Sequence, residues 1–235
     1  MVRWYQWMVA VCATLFAVAA FAELPDRFVE YVESTNKTTY VDTGVVGTPA
    51  NTRMLVRLAV TAQTDTQSGV FGAATGDGDS NSSESISYVN KKFRADWTGG
   101  STDTGIAPAV GDIYDIECLY SFVTVGDRTF VPIKGNANHQ KGGANANSLY
   151  LFNYNMNGTP YSKGGVLQRV YGCRIWADGK ALSANLIPCE KDGVAGLWDS
   201  VTGAILYPRN FPLVASASDN PGVKVENGAV YALLT

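Results

Sequence analysis

The segment Gly111–Cys118, GDIYDIEC, holds two carboxylates at a spacing that could do chemistry, Asp115 and Glu117. Residues i and i+2 of a β-strand share a face. Two acids placed so could act as general acid and base on one bond, or accept hydrogen bonds from a hydroxyl-rich ligand. The same strand also reads as a sheet element with a wet side. Tyr114, Ile116, Cys118, Tyr120 and Phe122 form an apolar face, and Asp115, Glu117 and Ser121 point the other way. Arg94–Gly100 (RADWTGG) brings a guanidinium, a carboxylate and Trp97 to the end of a run, as a ligand contact or as a rim ring capping the core.

Asp77-Gly78-Asp79-Ser80-Asn81 offers oxygen ligands at alternate positions, the opening of a calcium loop. Ser82 stands where an EF-hand needs glycine and Tyr88 where it needs glutamate, so that form is excluded. A looser calcium site at Asp77, Asp79 and Asn81 and a plain polar loop are the two readings left. No other cofactor is called for.

Other chemistries fail on their residues. His139 is the single histidine and lies in the loop Gly135–Asn147 (GNANHQKGGANAN), poor support for a Ser-His or Cys-His device. No Gly-x-Ser-x-Gly elbow, P-loop or Cys-x-x-Cys is present. Cys118, Cys173 and Cys189 are odd in number, so they cannot all pair within one chain, and they read as small core residues. Cys12 lies inside an apolar run.

That run, Met8–Phe21, follows Arg3 and ends in Ala20-Phe21-Ala22, the small-x-small form of a cleaved export signal. It predicts a signal peptide over 1–22, a single domain over 23–235 and a secreted, periplasmic or cell-surface location, with no membrane insertion after cleavage. The net charge of −3 and the absence of a basic patch argue against nucleic acid and anionic lipid as partners.

Positioning these residues falls to strands. Short β-branched and aromatic runs recur between Gly, Asn, Asp and Ser clusters: Arg53–Val60, Gly111–Val125, Ser148–Tyr154, Gln168–Trp176 and Gly203–Tyr207. Tyr150, Phe152 and Tyr154 alternate with Leu149 and Leu151, as in a strand covered on both sides. Ala177–Lys180 and Ser200–Gly203 read as hairpin turns. Val29–Gly44 (VEYVESTNKTTYVDTG) reads as an opening hairpin reversing at Asn36-Lys37, with Glu30 facing solvent and Glu33 and Asp42 bonding nearby groups. From about Ala215 a tail ends in a candidate last strand, Ala229–Leu234. The pattern predicts an antiparallel β-sandwich.

Three segments carry a family resemblance: VEYVESTNKTTYVDTG, SLYLFNYNMNG and YGCRIWADGKALSANLIPCEKDGVAGLWDSVTGAILY. In this order they resemble bacterial exported domains of the concanavalin A-like, LamG-like jelly-roll type. That family implies a jelly roll and includes lectins, glycosidases and adhesive modules. Its β-glucanases use Glu-x-Asp-x-Glu on one strand. Here the nucleophile position is Ile113, which argues against a hydrolase. The reading that results is a non-catalytic binding or adhesion module with a glycan as its ligand class and Trp97, Asp115 and Glu117 as candidate contacts. The alternative is a structural or protein-interaction domain of the cell surface. Oligomeric state is not legible.

Overall fold

The computed structural model describes residues 24–48, 51–62, 67–75, 83–97, 100–119, 122–130, 145–226 and 229–232. Its strands, in chain order, begin with β1 Arg27–Phe28, β2 Val32–Ser34, β3 Val41–Val46, β4 Arg53–Ala62, β5 Ser68–Ala74, β6 Ser83–Val89 and β7 Lys92–Trp97. They continue with β8 Gly100–Asp103, β9 Ile113–Leu119, β10 Phe122–Val125, β11 Arg128–Phe130, β12 Ser148–Leu151, β13 Asn155–Met156 and β14 Thr159–Pro160. The last are β15 Leu167–Trp176, β16 Ala184–Lys191, β17 Val194–Asp199, β18 Ile205–Leu206, β19 Leu213–Ala215, β20 Val223–Glu226 and β21 Ala229–Ala232. No helix occurs among the described residues, so none there is long and apolar enough to cross a membrane.

Two sheets enclose one core. The larger runs β11-β10-β9-β4-β15-β16-β17-β18, with β1, β2 and β19 paired alongside. The smaller runs β14-β13-β5-β6-β7-β8, with β12 between β5 and β3. Pairing is antiparallel apart from β13 on β5 and the bridge Gly69–Gly165. Alternation sends Val56, Leu58, Ile116, Cys118, Cys173 and Ile175 inward from the larger sheet, against Phe71, Ile86, Tyr88, Phe93, Leu149 and Leu151 of the smaller. The rings of Phe93 on β7 and Tyr114 on β9 meet across the layers at 5.7 Å. Gln168 Nε2 donates to the Val70 carbonyl at 2.9 Å across the gap within this apolar core, while its Oε1 is buried without a partner.

Tight turns set the registers. Asn90-Lys91, Asn157-Gly158 and Asp192-Gly193 all have positive φ and join β6–β7, β13–β14 and β16–β17 through two-residue reversals. Ser200–Gly203 does reverse the chain between β17 and β18. Asp199 braces it by accepting from the Val201 amide and the Thr202 hydroxyl.

Four local expectations are corrected. Val29–Gly44 is not a hairpin: β2 belongs to the larger sheet, paired with β15 and β19, and β3 to the smaller, paired with β12. Asn36-Lys37 turns a corner between layers, which lets Val32 and Val41 enter the core from opposite sides. Gly111–Val125 folds back on itself, with Leu119 opposite Phe122. The run Ser148–Tyr154 leaves the ladder at Phe152, whose φ of 67° is incompatible with a strand, although Tyr150, Phe152 and Tyr154 are all buried as their surroundings implied. Between Trp176 and Ala184 the connection is longer than a two-residue turn. Asp178 Oδ1 caps it by accepting from the Lys180 and Ala181 amides.

Candidate functional site

A groove on the larger sheet's outer face arises at a gap in its hydrogen-bond ladder. β15 and β16 pair through Cys173–Leu186, Arg174–Asn185 and Ile175–Ala184. Beyond that point they part. Arg169 and Val170 of β15 pair with β2, and Cys189 and Glu190 of β16 pair with β1. The register of β15 against β4 also shifts between Val170 and Gly172, so Tyr171 is the extra residue of a bulge. The chain between β1 and β2 bridges the opening, its Val29 amide donating to the Pro188 carbonyl at 3.0 Å.

The result is a groove of about 290 Å³, lined in part by Leu55, Gly172 and Ile187 at its floor. Arg57 of β4 and Ile113 and Asp115 of β9 line it on one side of β15, Asn185 of β16 on the other, and Tyr171 and Arg174 of β15 and Glu30 complete this lining. The turn Asn220–Val223 closes a further side. Asn220 Oδ1 accepts from the Gly222 amide at 2.9 Å and the Asn220 carbonyl from Val223 at 3.2 Å, which fixes that wall. Gly172 matters here because it leaves the floor open. A Cβ added to it would meet nothing nearer than the Leu186 carbonyl at 3.6 Å.

The groove is polar and charged in a balanced way. Arg57 Nη1 stands 3.9 Å from Asp115 Oδ2, with both side chains about half exposed. At that distance and exposure the pair is loose and free to rearrange around a ligand. Tyr171 packs against Tyr31 with centroids 5.4 Å apart, and Arg169 lies 4.5 Å over Tyr31 while donating to Glu33 at 2.8 Å. This stack holds the Tyr171 ring at the wall, and burial pushes its phenol above the usual range. Cys173 is among the lining residues, but its side chain packs in the core between the sheets, where burial raises its thiol well above the usual range.

Asp115 therefore lines the groove, and Glu117 lies two residues along the same strand. Glu117 accepts from Arg53 Nε at 2.5 Å, and the Arg53 guanidinium covers the Trp176 ring at 4.4 Å. Ile113 is 46% exposed on this face, an aliphatic group at the position where a retaining hydrolase needs its nucleophile. Trp97 is not brought to these residues, since its backbone pairs with Glu84 and Gly100 in the smaller sheet. Asp77, Asp79 and Asn81 lie outside the described residues, as does His139.

Reasoning from sequence missed most of the groove: Arg57, Tyr171, Gly172, Arg174, Asn185 and Asn220. One usable signal was the glycine inside QRVYGCRIW, since a glycine interrupting a strand often marks a bulge or an open floor. Of the three acids in Val29–Gly44, Glu30 enters the groove, Glu33 pairs with Arg169, and Asp42 accepts from the Gly44 amide at 2.9 Å.

No family model matches the chain, and no curated protein matches it. Among solved structures, a candidate carbohydrate-binding protein from Bacteroides ovatus superposes with a TM-score of 0.53 at 8% identity, over 82% of this chain. The chain spans 61% of that protein's length, and the likeness is one of fold. A Trypanosoma rangeli sialidase in complex with sialic acid matches with a TM-score of 0.35 at 16% identity, covering 55% of this chain and 21% of that one. A likeness so slight carries no argument.

Proposed function

We propose that this protein is an exported, non-catalytic carbohydrate-binding or adhesion module whose ligand lies in the groove between β15 and β16. The observation that carries this reading is the groove itself. An open glycine floor is rimmed by Arg57, Asp115, Arg174 and Asn185 and walled by the Tyr171 ring. A sugar presents an apolar C–H face to a ring and a circle of hydroxyls to charged and amide groups, and both kinds of partner meet here. Buried carbohydrate hydroxyls need such donors and acceptors to offset lost hydration.

In this reading the fold is a LamG-like, concanavalin A-like jelly roll, formed by residues 23–235 after removal of residues 1–22. The order of the three sequence motifs and the two facing sheets support it, and the Bacteroides ovatus protein shares the all-β architecture. No cofactor is required in this reading, and calcium at Asp77, Asp79 and Asn81 is the one it allows. Asp115 is the predicted contact retained from sequence. Glu117 acts at the flank by holding Arg53, and the groove is built without Trp97. Binding makes and breaks no covalent bond, in keeping with Ile113 beside the acids.

A glycan array probed with Glu23–Thr235, with calcium and with chelator, tests the reading. Binding to at least one glycan class is expected, weakened by Arg174→Ala or Asp115→Ala. Binding to none under either condition sinks it in favour of a structural or protein-interaction role.

A further inference from the structure

We infer that the loop Tyr207–Phe211 is a second carbohydrate-contact surface, one that stacks on pyranose rings of a polysaccharide chain. It rests on the glycan-directed reading above but uses none of the groove residues.

The loop presents two aromatic rings to solvent, Tyr207 at 42% and Phe211 at 46% exposure. Single exposed rings are common and need no explanation. What distinguishes these is how firmly the backbone between them is held. The Arg209 amide donates to the Tyr40 carbonyl at 2.8 Å, and Asn210 Nδ2 donates to the Thr38 carbonyl at 2.9 Å. The Phe211 amide then donates to the Arg209 carbonyl at 3.0 Å across Asn210, whose φ is 71°. A three-residue reversal with positive φ at its centre is a strained turn, and such strain persists only where its surroundings enforce it.

The support below is also aromatic. Tyr40 stacks on buried Tyr150 with centroids 4.5 Å apart and planes 19° from parallel. Gly196 on β17 braces Tyr207: a Cβ there would stand 3.3 Å from Tyr207 Cδ1, so the missing side chain lets the ring lie against the strand. The Tyr207 ring and the backbone that carries Phe211 are thus ordered before any ligand arrives, which removes part of the entropy cost of binding.

The chemistry between the rings selects the ligand. Half-buried Pro208 and exposed Arg209 and Asn210 separate them, and Asp42 and Arg209 both lie near the Tyr150 phenol. An apolar protein partner would want a continuous patch, and the cation and amide interrupt it. A lipid surface would want several cations, and this loop has one. A pyranose chain alternates apolar faces with hydroxyl edges, which matches ring, charge, amide, ring.

The test is retention of full-length mature protein on insoluble cellulose, chitin and xylan, for wild type, Tyr207→Ala/Phe211→Ala, each single variant and Gly172→Phe. Wild type should be retained on at least one polymer, and the double variant should lose roughly tenfold or more in retention. Phe211→Trp should keep it. Phe211→Ala should melt like wild type; Tyr207 lies against β17, so if Tyr207→Ala or the double variant melts early, Phe211→Ala alone decides. Retention of the folded ring variants at the wild-type level, alongside loss in Gly172→Phe, overturns the second surface and leaves the groove standing. A wild type held by none of the polymers overturns this inference, and the glycan reading itself then falls to the array.

Discussion

Arg57 on β4 and Gly172 on β15 stand opposite each other in register, a guanidinium beside a residue with no side chain. Cross-strand neighbours normally fill the space above the ladder between them. Here that space stays empty, and it is where the groove opens. The bulge at Tyr171 and the parting of β15 from β16 make the gap, and Gly172 keeps it clear.

Glu84 gives the stability of this domain an unusual dependence on pH. It is fully buried opposite Ala73 and Trp97, and neither carboxyl oxygen has a hydrogen-bond partner. The neighbouring Thr52 hydroxyl donates instead to the Thr48 carbonyl at 2.8 Å. Burial pushes the Glu84 carboxyl up to about 7 from 4.5. The folded state thus holds a proton that the unfolded chain releases. This contribution to stability is fully present below about pH 4.5 and is lost as pH rises through about 7. Urea unfolding at pH 5 and pH 8 should differ by a few kcal/mol more in wild type than in Glu84→Gln, on the order of 2–3 kcal/mol from linkage. Equal pH dependence in the two proteins would refute the assignment.

Arg53 acts at the flank of the groove through two contacts at once, the Glu117 carboxylate and the Trp176 ring. Both Arg53 and Glu117 keep a quarter or more of their side chains in solvent, so the pair is worth little by itself. A double-mutant cycle on Arg53→Ala and Glu117→Gln should give a coupling of about 0.5–1 kcal/mol. Arg53→Lys should lose stability too, because an ammonium cannot hold the fork and the ring contact together. A coupling near zero, with Lys fully tolerated, would mean that the contacts do not order this flank.

The three cysteines among the described residues should be silent to reagents in the native state. Cys118, Cys173 and Cys189 are free and buried, and burial raises all three thiols, Cys189 to about 12. A thiol reagent at neutral pH should label none of them in folded Glu23–Thr235 and all three in denaturant. Rapid labelling of any one in the folded protein would show that the core around it opens.

The sandwich was legible in the sequence because its evidence is local. Alternation along RMLVRLAV, QRVYGCRIW and SLYL already divides inward from outward residues, and the buried set agrees with it. The route of the chain was less legible. Alternation on both sides of Asn36 is the same for a hairpin as for a corner between sheets, since Val32 and Val41 face a core either way. The break at Phe152 carries no glycine or proline to announce it; the φ of 67° is imposed by packing on both sides. The groove was hidden for a deeper reason. It exists because β2 and β16 share one edge of β15, a meeting of segments more than a hundred residues apart. Asp115 drew attention through its spacing to Glu117, whereas Arg57 and Arg174 gave no such signal before their strands were placed side by side.

The most direct test of the central claim is to close the groove without touching its charges. Gly172→Phe adds a ring at a position where a Cβ would meet nothing nearer than the Leu186 carbonyl at 3.6 Å, so the side chain starts into the groove without displacing backbone. Wild type and Gly172→Phe should be compared on the same glycan array, with melting curves recorded for both. The account predicts that wild type binds at least one glycan class, that Gly172→Phe binds it roughly tenfold or more weakly, and that the two melt alike. Equal binding by a folded Gly172→Phe variant would contradict the account and place any ligand elsewhere on the molecule.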